Sequence, residues 1–267
     1  MIVIEDRRFA LFRDRTLFFP TADGVAQALE DVDANGIVRI SQTSTDIADH
    51  PKLIRRKLSR TNCLDLSKDL DELLAEMDPK SCRYEIRRAE KMLPRIRVRL
   101  NDRIAYRDFQ SLYNNFVKTK RFAPQLSDRR LRMFSEVSDV FVIYLDERAM
   151  CGHLLLRDEK ARRVRLCFSA TNRLDSSEDA ALSGSLNRFL HWREIQNYHE
   201  RAFELYDFGG TEAAFNNIAR FKLSFGGFEL LEHCYVFMGD LAGQLYALYK
   251  NLSPLAAARF RRRGDLI

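Results

Sequence analysis

Two glycine-ended stretches hold residues suited to chemistry. Tyr206-Asp207-Phe208-Gly209-Gly210 sets a carboxylate in an apolar run that stops at paired glycines. Arg220-Phe221-Lys222-Leu223-Ser224-Phe225-Gly226-Gly227 sets a lysine beside two phenylalanines. Phe221 and Phe225 are four apart and share a helical face, where core packing is their default role. An aspartate in an apolar strand is either paired or faces a cleft. With a raised pKa, Asp207 would suit a general base; the alternative is a structural ion pair with Arg220 or Lys222. By spacing alone Lys222 reads as a surface residue of an amphipathic helix. Gly209 and Gly210 permit positive φ and close approach of a ligand to the main chain. Gly226 and Gly227 sit where a helix stops, and C-capping accounts for them.

Other candidates are more dispersed. Gly152-His153 falls in a strand, where His153 is a cleft-facing acid or base or merely packed. His191 and His199 are eight apart on one helix, too far for a shared metal without a third ligand, so no metal site is expected. Lys80, Arg83, Arg87 and Lys91 form a basic helical stripe. It is either a solvated face or a positive wall for phosphate. Five cysteines occur without a CxxC or zinc spacing and read as small apolar residues in a reducing compartment. The tail Arg259-Phe-Arg-Arg-Arg263 suits weak contact with anionic headgroups, and peripheral membrane contact is expected there if anywhere.

The elements that must position these residues follow from periodicity. Ile2 to Ile4, Thr16 to Phe19 and Gly36 to Ile40 predict N-terminal strands. Leu66, Leu70, Leu73, Leu74 and Met77 lie on one helical face, with Ser67 as the N-cap and Pro79 as the stop. A basic helix over 80–93 follows, ended by Pro94. Beyond it, Ile96, Val98 and Leu100 alternate with arginines as a strand. Two helices come next, the second capped by Ser127. Three strands follow, over 140–145, 150–156 and 164–169, with a hairpin turn at Asp146. A long helix over 180–198, a strand over 203–208, a helix over 213–223 and a strand over 228–238 complete the order β-α-α-β-β-β-α-β-α-β, and a last helix runs over 241–252.

That order, the two glycine-ended motifs, and an acidic-capped helix leading into Arg83-Tyr-Glu-Ile-Arg-Arg-Ala-Glu-Lys91 resemble the Fem-type (FemAB-like) and CelD-like branch of the GNAT acyltransferases over about residues 60 to 240. The resemblance implies an α/β GNAT fold, a mixed central sheet flanked by helices. It divides the chain into a 1–94 subdomain, as a degenerate GNAT-like half, a 95–252 core and a 253–267 tail. It implies N-acyl transfer to the amine of an amino sugar or amino acid, free or on a cell-envelope polysaccharide or peptidoglycan precursor. Lys222 would lie beside the acyl-transfer centre, and Asp207 or a water would take the amine proton. Tyr206, Arg220, Phe221, Phe225, Arg83, Arg87 and His153 would contact substrate; Gly209 and Gly210 would approach the co-substrate. Acyl-CoA is the implied donor. Yet the Q/RxxGxG/A pyrophosphate loop of many GNAT enzymes is not legible in Ala170 to Ser177 or Ala181 to Ser185. Aminoacyl-tRNA therefore stays open as donor, although no long helical-hairpin arm is present. A non-catalytic binding module on the same scaffold is the alternative from another class.

The 267 residues suffice for one large domain or two small ones, and 46% hydrophobic with 31% charged residues suits a soluble core-forming chain. The formal charge of +6 favours anionic partners without choosing among them. No aromatic-basic interleaving of an RNA-binding kind occurs, and no DNA partner is expected. The start turns acidic before a secretory apolar region forms, and no apolar run approaches the ~20 residues of a spanning helix, so a cytoplasmic protein is expected.

Overall fold

The computed structural model describes all residues except 9–10, 48, 121–123, 173–176, 212–216 and 253–267. The chain forms two compact units, residues 1–60 with 231–267, and residues 61–230.

In the first unit, β1 (Ile2–Arg8) and β2 (Phe12–Phe18) pair antiparallel. Helix α1 (Ala22–Glu30), capped by the Thr21 hydroxyl, carries the chain over to β3 (Gly36–Thr43), parallel to β2. The end of β10 (Phe228–Met238) pairs antiparallel with β3. Leu17, Val25, Ala28, Val38, Ile40, Tyr235 and Phe237 close the core between α1 and this sheet. Helix α8 (Asp240–Leu252) follows β10.

In the second unit the strand order is β4-β9-β8-β7-β6-β5. The strands are β4 (Leu53–Asp65), β5 (Ile96–Leu100), β6 (Ser138–Leu145), β7 (Arg148–Asp158), β8 (Arg163–Thr171) and β9 (Leu205–Gly210). The helices are α2 (Leu70–Glu76), α3 (Cys82–Glu90), α4 (Arg103–Lys120), α5 (Asp128–Ser135), α6 (Ser177–Glu200) and α7 (Asn217–Leu223). All these strands pair antiparallel except β8 with β9. Strand alternation sends consecutive β7 residues to opposite layers. At Gly152 an added Cβ would lie 2.9 Å from the Phe109 ring of α4, while His153 meets Glu194 of α6. Helix α3 packs on α6, and Leu73, Met77, Ile86, Leu186, Leu190, Phe208 and Phe225 share one core.

The order predicted from β5 onward is the one observed. Asp146 and Glu147 adopt φ of 47° and 64°, as a tight hairpin turn requires. Ser127 caps α5 by accepting from Arg130 N. Three expectations need correction. Ser67 is not the cap of α2, which starts at Leu70; its hydroxyl bonds Asp65 instead. Helix α1 and strand β4 were not anticipated. The division falls at 60/61 and 230/231 rather than at 94/95, because α2 and α3 bury their apolar faces in the second unit's core while β10 returns to β3. The predicted 253–267 tail lies outside the described residues. Cys63, Cys82 and Cys151 are buried as expected; Cys167 and Cys234 are only partly so. Among the described residues no helix is long and apolar enough to cross a membrane.

Candidate active site

The second unit's two central parallel strands stop pairing at one place. Arg163, Val164 and Arg165 of β8 align with Leu205, Tyr206 and Asp207 of β9, and no register continues beyond Arg165 and Asp207 although both strands do. Asp207 sits at this parting, fully buried, with Cys63 of β4 on its other side. Residues i and i+2 of a strand share a face. Arg163 Nη2 (2.7 Å) and Arg165 Nη1 (2.9 Å) therefore both reach Asp207 Oδ2. Asp207 Oδ1 accepts from Gly209 N at 2.7 Å and from the Thr61 hydroxyl of β4.

These partners settle the protonation of Asp207. Burial alone would raise its pKa, but the charges of Arg165 and Arg163 and the Thr61 bond outweigh it and hold the carboxyl well below the usual carboxylate range. A carboxylate so acidic, with its oxygens occupied, is a poor general base, which corrects the base role expected of Asp207. The alternative ion pair exists, with Arg163 and Arg165 in place of Arg220 or Lys222.

Lys222 joins the same cluster. Its Nζ donates to Gly210 O at 2.7 Å. Gly209 adopts φ +79°, and a Cβ there would lie 3.2 Å from Leu166 O, 3.4 Å from Lys222 Nζ and 3.8 Å from Arg165 Nη2. Glycine thus allows both the turn and the close approach of the ammonium to the backbone. Burial, reinforced by the charge of Arg165 and opposed by Asp207, pushes Lys222 down to about 8. Two arginines thus contact the carboxylate, and the Lys222 ammonium feels its charge.

The helix end that presents Lys222 is tied to β4. Asn62 Nδ2 donates to Lys222 O (3.2 Å) and Gly226 O (3.0 Å). Gly226 N bonds Leu223 O at 3.0 Å, and both Gly226 and Gly227 have positive φ, the C-cap expected of them. At Gly227 a Cβ would lie 2.1 Å from Cys63 O, so α7 ends in direct backbone contact with β4.

A second polar cluster lies in the core. Tyr206 OH donates to Glu194 Oε2 at 2.5 Å and accepts from His191 Nδ1 at 2.8 Å. His153 Nδ1 meets Glu194 Oε1 at 2.7 Å, and its Nε2 meets Asn187 Oδ1 at 2.9 Å. All five are buried. Burial, then the neighbouring His153, pushes His191 down to about 4. Against the upward push of burial, His153 and His191 hold Glu194 down at about 2. The ligand atoms of His153, His191 and Glu194 lie within 4.8 Å of one another, a nitrogen and oxygen set of the kind zinc or iron takes. The sequence reading weighed His191 against His199 alone and found them too far apart; the groups near His191 are instead Glu194, one turn along α6, and His153 across on β7.

The remaining expected site residues divide. Phe221 is half-buried, with His191 at 5.7 Å, Phe225 at 5.4 Å and the Arg188 guanidinium at 4.6 Å from its ring centre. Phe225, Tyr206 and His153 are enclosed in the core, so they pack or hydrogen-bond there and do not face a cleft. Arg220 is exposed and bonds Asn217 Oδ1 at 2.6 Å. Arg83 is half-buried and Arg87 exposed on α3. The structure unites Lys222, Asp207, Gly209 and Gly210, and adds Arg163, Arg165, Thr61 and Asn62. The only sequence signal for the arginines was their i, i+2 spacing in an apolar strand.

No family model matches the sequence, and no curated protein matches it. Solved structures do. FemX superposes with a TM-score of 0.61 at 11% identity, over 92% of this chain and 85% of that one. The C-terminal (DUF2156) domain of a protein described as a lysylphosphatidylglycerol synthetase, from Agrobacterium fabrum, gives 0.59 at 15% identity over 93% and 84%. L-PGS from Bacillus licheniformis gives 0.54 at 9% over 89% and 81%. The fold is GNAT. Within this fold the parting of β8 and β9 and the end of α7 come together at Lys222.

Proposed function

We propose that this protein is an acyltransferase acting in cell-envelope synthesis, moving an acyl group from a thioester or ester donor to an amine. The observation that carries this reading is the Lys222 ammonium, held against Gly209 and Gly210 where β8 and β9 cease to pair. The acceptor nitrogen attacks the donor carbonyl carbon and forms the C–N bond. The carbonyl electron pair moves to oxygen, where Lys222 and the adjoining arginine charge stabilise it. Collapse breaks the C–S or C–O bond, and the leaving group departs with that pair. The amine proton passes to the leaving group or to water. Asp207 orders the two arginines and the turn at Gly209, and takes no proton.

Acyl-CoA as donor and an amino sugar or amino acid as acceptor form the first version. Aminoacyl-tRNA as donor is the second, favoured by the resemblance to structures named for lysylphosphatidylglycerol, a product carrying an aminoacyl group. Thermal-shift screening against CoA, acyl-CoAs and nucleotide sugars, with filter retention of charged tRNA at graded salt, separates them. A ligand at 100 times its Kd stabilises by about 2.7 kcal/mol. Turnover of whichever donor binds is then compared with that of Lys222→Met. Turnover unchanged in that variant would remove Lys222 from the chemistry, and binding without turnover of any donor would remove the enzymatic reading and leave a binding module.

A further inference from the structure

We propose that α8 seats this protein on an anionic lipid surface, with the basic segment beyond it as the electrostatic partner. The helix docks on its own unit through one side: buried Ala242 and half-buried Tyr246 pack against Ile37, Met238 and Phe12. A second apolar stripe is left outside that contact. Leu241, Leu245 and Leu248 recur at i, i+4 and i+7 and are 40%, 41% and 56% exposed. At about 100° per residue they fall within a stripe roughly 60° wide. Single exposed leucines are ordinary; an aligned row on one helix marks a surface that something covers.

Charge selects the occupant. The sequence following α8 contains Arg259, Arg261, Arg262 and Arg263 against the single acid Asp265. An apolar helical stripe submerged at the headgroup boundary, joined to a cluster of arginines, supplies the two signals that stable peripheral binding needs. Each arginine near an anionic surface strengthens binding about fivefold. A protein partner matching both features would have to combine an apolar groove with a dense acidic patch, whereas an anionic bilayer provides both.

The test uses the full chain and sedimentation with phosphatidylcholine vesicles or vesicles containing about 30% phosphatidylserine. The wild type should bind the anionic vesicles only, and less as salt rises. Leu245→Asp with Leu248→Asp should cut the bound fraction at least about tenfold, and so should glutamine at the four arginines. These leucines are substantially exposed, so the melting temperature should hold. Leu248→Trp keeps the stripe apolar. The chain's one tryptophan, Trp192, is buried, so the new indole should report insertion by a blue shift on anionic vesicles. Lys222→Met should bind vesicles like the wild type, which separates this surface from the candidate active site. Wild-type protein left in the supernatant, equal binding to phosphatidylcholine, or aspartate variants that bind unchanged would overturn the proposal. So would light scattering that shows a dimer dissolved by Leu248→Asp, since a second copy would then be the occupant.

Discussion

Replacing Asp207 by asparagine distinguishes a carboxylate that moves protons from one that holds charges in place. The substitution preserves shape and the bond from Gly209 N, but leaves buried Arg163 and half-buried Arg165 without the anion that both contact. Removing one partner of a buried ion pair typically costs about 3–5 kcal/mol, because the desolvated charge left behind is uncompensated. With a urea m-value of about 2 kcal/mol/M, the unfolding midpoint should fall by about 2 M. Lys222 should respond too. Asp207 is the one group that holds its pKa up against burial and Arg165, so it should drop below about 8. The pH at which activity declines should move down with it. The depressed Asp207 pKa also predicts wild-type behaviour: its stabilisation is present above the unfolded value of about 4 and is lost as pH falls below it toward the folded pKa. Urea curves at pH 7 with the asparagine variant as stable as the wild type would refute the charge-clamp account. Lost turnover without lost stability would restore Asp207 as the base.

Lys222→Met should retain donor binding while turnover falls by about 10²–10³, the usual cost of one oxyanion donor, as single-turnover kinetics would register. In the wild type, turnover should decline as pH rises through about 8, where the ammonium loses its proton; Lys222→Arg should move that limb upward. The stability contribution of Lys222 runs oppositely: its folded pKa lies below the unfolded value of about 10.4, so unfolding free energy should increase between those two pH values. Gly209→Ala should destabilise by about 1–2 kcal/mol from the positive φ alone and lower activity by displacing the Lys222 amine, read by thermal melts and turnover together. Burial pushes the Cys82 thiol up to about 12, so Cys82, with Cys63 and Cys151, should resist alkylation at pH 8 until urea unfolds the chain, as mass spectrometry would show.

Much of this architecture is written in local pattern. Alternation in Ile96 to Leu100 and the apolar runs of β6 to β10 survive inspection because each strand carries its own signal. The glycine pair closing β9 marks the site for the same reason. Strand β4 escaped because Arg55, Arg56, Lys57 and Arg60 interrupt its apolar residues, and its buried end reads only as Cys63-Leu64. With β4 went Thr61 and Asn62, two residues that shape the site. The partners of Asp207 were illegible for a different cause: they follow from the register of β8 on β9, a tertiary fact that links positions more than 40 residues apart. Equally, nothing local shows that His153 meets a glutamate 41 positions later. Such pairs satisfy buried polar atoms, and only the assembled core reveals which atoms need satisfying.

The tether between Asn62 and the end of α7 decides where a change of specificity must begin. A helix of seven residues has little rigidity of its own, yet its Lys222 carbonyl and the Gly226 carbonyl just past its end both accept from the Asn62 side chain of β4, and Gly227 leaves no room for the chain to slide over Cys63. The ammonium thus inherits its address from the sheet. The exposed Leu223 side chain of α7 can change without moving it. Re-aiming that nitrogen toward a bulkier acceptor therefore calls for altering β4, not the helix that bears the lysine.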